Sequence, residues 1–96
     1  MNTEVTKEKL DNYFDVTGRA LKKVKLQKEA DIDVAGSAAD FFDMASRYYA
    51  DAEHFASNGD WVLAFAALNY AHGWLDAGAR IGLFDVDHDN VLFTVD

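Results

Sequence analysis

The 96-residue chain contains no cysteine, which removes disulfides, thiolate zinc sites and cysteine nucleophiles together and leaves the redox compartment undetermined. No uncharged run approaches the roughly 20 residues needed to span a bilayer. The N-terminus shows no basic region followed by an apolar run, so no secretory leader is expected and a cytoplasmic setting is the default. Cations are scarce beyond residue 30. Residues 31–96 hold two Lys/Arg against twelve Asp/Glu, a net of −10, whereas residues 1–30 hold seven against five. Such an acidic body repels phosphate backbones and counts against general nucleic-acid binding. Thirteen of the seventeen acids are aspartate, which would suit a salt-rich cytoplasm without establishing one. Neither an internal repeat nor a low-complexity segment appears.

Half of the residues are apolar and 14% are aromatic, enough for a single small core. The periodicity predicts helix 1 over about 6–28, with Leu10, Phe14, Thr17, Leu21 and Val24 on one stripe. The basic cluster Lys22, Lys23, Lys25 and Lys28 then falls at its C-terminal end, where cations suit the helix dipole. The acidic stretch 29–36 reads as a connection. Helix 2 is expected over about 37–58, with Ser37 as its N-cap. Its buried face would comprise Ala38, Phe41, Phe42, Ala45, Tyr48, Tyr49, Ala52 and Phe55. Asn58-Gly59 supplies a left-handed stop and Asp60 a cap for the next helix, so helices 2 and 3 form an antiparallel hairpin.

Helix 3, expected over about 61–82, carries two apolar seams. The first runs through Trp61, Phe65, Leu68, His72, Leu75 and Ala79, the second through Leu63, Ala67, Tyr70, Trp74, Ala77 and Ile81. At about 100° per residue the seams lie some 150° apart. A helix in a plain three-helix bundle faces neighbours only about 60° apart, so the second seam needs a further cover. The apolar residues of the tail, a second copy of the chain or a partner helix would supply it. The expected architecture is an all-α antiparallel three-helix bundle over 1–84, with a long C-terminal helix, followed by a short extended acidic tail over 85–96.

Three constellations carry candidate chemistry. His72 and Asp76, four residues apart within "NYAHGWLDAG", have the spacing of a base and its orienting carboxylate or of two metal ligands. Two ligands do not complete a metal site, and no serine or cysteine stands beside them as a nucleophile. The reading adopted makes them a polar pin in a packed contact, while Gly73 and Gly78 permit close approach of another backbone. Arg47 and His54 form an R-x6-H pair resembling the ribonuclease motif of HEPN domains. Both point away from helix 2's apolar face, among aspartates four residues off that give ordinary ion pairs. The tail "DVDHDNVLFTVD" resembles a calcium-binding EF-hand loop, with Asp at positions one, three and five. It departs from that pattern at Asn90, at Phe93 and at the short acid Asp96, and an acidic, partly frayed tail is the simpler reading.

The segment "YYADAEHFASNGDWVLAFAALNYAHGWLDAGARIGLF" resembles an archaeal family of small helical proteins, the domain of unknown function numbered three-five-seven. Tyr49, Asp51, Ala52, Phe55, Gly59, Asp60, Ala64, the run from Tyr70 to Gly73, Leu75 and Asp76 carry the likeness. It spans about 41–84 well, helix 1 loosely and the tail hardly at all. The resemblance implies an archaeal source and a compact helical bundle, and supplies no activity. The same helical pair also resembles a single tetratricopeptide-type hairpin, an analogy that favours a protein-binding scaffold.

The expectation is therefore a protein-interaction or self-association module, a homodimer or a protein-partner binder, with no cofactor and no metal. Its interaction face would be Leu63, Tyr70, Trp74 and Ile81. The rival is an enzyme or nucleotide-binding domain using His72 and Asp76, with Arg47 from helix 2. A third is a calcium-binding module through 85–96.

Overall fold

The computed structural model of the chain describes residues 4–27 and 31–95. Within them three helices and no strands are present: α1 (Lys7–Lys23), α2 (Val34–Ser57) and α3 (Trp61–Arg80). The all-α, three-helix architecture expected from periodicity is present. With no proline in the sequence, nothing interrupts the backbone ladder of any helix.

The boundaries have local causes. Thr6 opens α1, its hydroxyl accepting the Lys9 N–H at 3.1 Å. The helix then stops at Lys23, short of the expected end; Lys28 itself lies outside the described residues. α2 begins at Val34, not Ser37. Asp33 takes the N-cap position and its main-chain carbonyl receives the Ser37 N–H at 2.8 Å, so Ser37 sits one turn inside. The Asp33 carboxylate folds over Gly36, where a side chain would collide with it, and its negative charge suits the first turn.

α2 and α3 end in the same way. Gly59 (φ 78°) and Gly82 (φ 84°) adopt the left-handed conformation that glycine takes at no steric cost. After α2, Asp60 N–H donates to the Phe55 carbonyl at 2.9 Å and Gly59 N–H to Ala56 at 3.1 Å. After α3, Leu83 N–H donates to Gly78 at 2.8 Å and Gly82 N–H to Ala79 at 3.2 Å. Both are Schellman closures, which satisfy carbonyls the helix leaves orphaned. Asp60 occupies the N-cap position of α3 as expected, although its side chain makes no capping bond there.

Among the described residues, helix–helix packing is confined to the α2–α3 hairpin. Its buried apolar residues are all alanines: Ala45 and Ala52 from α2, and Ala64, Ala67 and Ala71 from α3, with Gly78 continuing the line. Small side chains at three- and four-residue spacing let the two backbones approach, and dispersion contacts replace bulky interdigitation. Phe42 and Tyr49, expected in the buried face of α2, are 61% and 56% exposed. They lie beyond the edge of the alanine seam rather than on it.

α1 is held differently. None of its Cα atoms comes within 8 Å of a Cα in α2 or α3, and none of its residues is buried. Its apolar stripe is largely solvated, with Phe14 70% and Leu21 74% exposed.

Candidate interaction surfaces

The alanine seam divides the hairpin into two flanks. α2 meets α3 along the line between the two seams read from the sequence, so each seam becomes one flank. On the first flank Tyr70 meets Tyr48 edge-on, centroids 4.3 Å apart, and Trp74 meets Phe41 in the same way at 4.9 Å. Tyr70 and Trp74 also lie edge to face, 6.2 Å apart. Such arrangements bring a ring's electropositive edge to a partner's electron-rich face. The second seam of α3 is thus used partly within the fold, as aromatic brackets on either side of the alanines.

α1 leans over this flank without closing on it. Val5, Leu10 and Tyr13 face Tyr48, Phe55, Leu63 and Tyr70 across a cleft of about 550 Å³. Lys9 and Asp51 are its charged lining residues. Further along α3 a shallower depression of about 350 Å³ is lined by Phe41, Gly73, Trp74 and Ala77, with no residue of α1 on its wall. Of the four residues expected to form the interaction face, Leu63 and Tyr70 line the cleft and Tyr70 and Trp74 the depression. Ile81 stands apart at the end of α3, 66% exposed.

The second flank belongs to the first seam. There the tail returns across α3 in successive turns instead of running extended or frayed. Asp85 Oδ1 accepts the Asp87 N–H at 3.0 Å, and Asp89 Oδ1 accepts the Val91 and Leu92 N–H groups, both at 2.9 Å. Asp87 and His88 take left-handed φ values of 54° and 56°, a conformation more accessible to aspartate and histidine than to most side chains.

His72 and Asp76 hold that tail. His72 Nε2 lies 2.7 Å from the Leu92 carbonyl, to which an Nε2–H donates, and its ring stacks against Phe93 with centroids 6.1 Å apart. Asp76 receives the Thr94 N–H at 2.9 Å through Oδ1 and the Thr94 hydroxyl at 3.1 Å through Oδ2. The two side chains are also 3.6 Å apart. The glycines do not admit a second helix here. Gly73 faces open space, whereas Gly78 lies under the Phe84 ring, which fills the place a Cβ would take. The tail, one of the three candidate covers for the second seam, covers instead the C-terminal half of the first, because Gly82 turns the chain to that side. Leu92 and Thr94 act as partners of His72 and Asp76 through backbone groups as much as through side chains, and no residue pattern announces that.

The family described as "Protein of unknown function (DUF357)" matches residues 12–84. The chain belongs to that family. No curated protein and no solved structure matches it. The DUF357 segment ends at Phe84, the residue seated on Gly78. Family membership therefore covers most of α1, the whole hairpin and the first anchor of the tail. Residues 85–96, with the turns that reach His72 and Asp76, lie beyond it.

The remaining candidates do not converge. Arg47 Nε pairs with Asp43 Oδ2 at 2.9 Å on the solvated face of α2, and His54 Nε2 lies 3.3 Å from Asn58 Nδ2. Among the described residues no three His, Asp or Glu side chains are grouped so as to hold a metal ion. Asp85 and Asp89 spend carboxylate oxygens on backbone turns, and Asp96 lies outside the described residues. No helix is long and apolar enough, within the described residues, to cross a membrane.

What sequence reasoning missed is the open half of the second flank. Trp61, Phe65 and Leu68 of the first seam are 42–69% exposed instead of covered by a neighbouring helix. The alanines at 64, 67 and 71 carried the signal, since they mark the line that a neighbouring helix occupies.

Proposed function

We propose that this DUF357 protein is a protein-interaction module that receives an apolar, helical segment of a partner between α1 and the second seam of α3. The supporting observation is the 550 Å³ cleft bounded by Leu10, Tyr13, Leu63 and Tyr70, with α1 standing off the hairpin on its far side. An amphipathic helix enters such a groove by placing apolar side chains at i, i+3 and i+4. Lys9 and Asp51 at the edge offer opposite charges that orient it. Tyr70 and Trp74, large and rigid, are the anchor types that dominate protein interfaces. His72 and Asp76 serve in this reading as the pin that secures the tail to α3.

The test is co-purification from source-cell extract with three tagged chains: wild type, Leu63→Glu and Phe65→Glu. Circular dichroism verifies the fold of each. The reading expects a defined protein retained by wild type and by Phe65→Glu, and lost from Leu63→Glu. Retention of the same protein by a folded Leu63→Glu chain would overturn it.

A further inference from the structure

We infer that α1 is a lid on its own cleft: it closes onto the second seam of α3 in part of the free population, and while closed it fills the space that a partner segment needs. The device rests on the reading of that cleft as a docking site. One wall of the cleft already belongs to the lid. Lys9, Leu10 and Tyr13 line it from α1, and Asp51, Ala66 and Tyr70 face them from the hairpin. No Cα atom of α1 lies within 8 Å of one in α2 or α3, so the form described above is the open one.

Apolar surface and charge both favour closure. Leu10 is 47% and Tyr13 61% exposed, and Tyr70 across the cleft is 49% exposed, so bringing the walls together removes apolar surface from water on both sides. α1 holds five Lys/Arg against three Asp/Glu, whereas α2 holds one against four, so lid and flank attract. Lys9 and Asp51 carry that attraction into the cleft itself. The stand-off of α1 also accounts for the spread of the open form. The chain exposes 8032 Å², against roughly 5,500 Å² for a compact monomer of its mass. Its radius of gyration is 15.9 Å, against roughly 12.5 Å for a compact chain of this length. Because α1 belongs to the same chain, it meets the flank at an effective concentration on the order of millimolar, ahead of any dilute competitor. The conformational freedom lost on closing opposes it and keeps the open form populated.

Disulfide trapping in the full chain reads closure with no partner present. A disulfide needs Cα atoms about 4.4–6.8 Å apart, so none can join α1 to the hairpin in the open form. The natural chain has no cysteine, and Ala66 is a small, exposed residue on the α3 wall. Leu10→Cys/Ala66→Cys therefore reports Leu10 reaching α3. Asp15→Cys/Ala66→Cys is the control, because residue 15 lies about 140° round α1 from residue 10. Under mild oxidation of dilute chain, the first pair should bridge within one molecule at least tenfold faster than the control, read by mass and by non-reducing electrophoresis. Its radius of gyration by X-ray scattering should fall on oxidation. Equal rates, or bridges formed only between molecules, would overturn the lid. The bridged chain should retain at least tenfold less of the wild type's partner than the same chain after reduction; equal retention would overturn the lid too. The two readings fail separately. Bridging no faster than the control removes the lid while capture by wild type stands. Capture by a folded Leu63→Glu chain removes the docking site while the cross-link still reports closure.

Discussion

The α2–α3 hairpin and α1 are both helices with apolar stripes, yet they are held in opposite ways. The hairpin has a seam of five buried alanines, Schellman closures at both helix ends and aromatic brackets along one flank. α1 has the larger apolar side chains and no buried residue. The difference teaches that side-chain size does not decide which helix is core. Two helices joined by three residues meet at high effective concentration, and small residues let their backbones close. α1 lies ten residues before α2 in the chain, so no comparably short joint holds its backbone against the hairpin.

The strongest way to break this contrast is to enlarge a seam residue. Ala71→Leu should destabilise the chain by about 1–3 kcal/mol, since the facing backbone has no room for a branched side chain. Urea unfolding measures it, and an unchanged midpoint would mean that the seam is not closely packed.

Next in size is the tail. His72→Ala and Asp76→Ala each remove contacts to residues 92–94, and each should cost about 1 kcal/mol of anchoring at these partly exposed sites. The readout is amide exchange at Thr94, which should quicken several-fold in both variants while the amides of α2 keep their protection. Equal loss across the hairpin would instead place His72 and Asp76 in the core packing.

The glycines sharpen the comparison within one helix. Gly73→Ala should raise stability by up to about 1 kcal/mol, because a methyl group there meets nothing and helical propensity improves. Gly78→Ala should not give that gain, because the Phe84 ring must move aside. Thermal melts of the pair test the difference, and a stabilised Gly78→Ala chain would deny the Phe84 contact.

The smallest effect belongs to α1. Phe14→Ser should change unfolding stability by no more than about 0.5 kcal/mol, since the ring is already 70% exposed. A loss comparable to that of Ala71→Leu would show that α1 is packed in solution, against a partner or against its own hairpin.

Much of the fold was legible. The run Asn58-Gly59-Asp60 announced the hairpin through the φ > 0 requirement at Gly59, and the three helices followed from periodicity. The start of α2 was less legible, because Asp33 and Ser37 are both good caps and lie one turn apart. The candidate surfaces were half legible. The two seams of α3 were visible on the wheel, but their large side chains outweigh, in any hydropathy pattern, the alanines at 64 and 71 that lie between them. Nothing local told where the tail would go. Its anchor is a phenyl ring resting on a glycine, and a carbonyl and an amide reaching two polar side chains about twenty residues away.

By itself the sequence determined the periods, the stops and the charge of each segment, because these depend on a residue and its neighbours within about one helical turn. Tertiary structure alone decided which of two adjacent stripes became the core, how far α1 stands from the hairpin, and which flank the tail crosses. Those outcomes depend on backbone approach and ring placement between residues far apart in the chain, where a missing methyl group counts for as much as an aromatic ring.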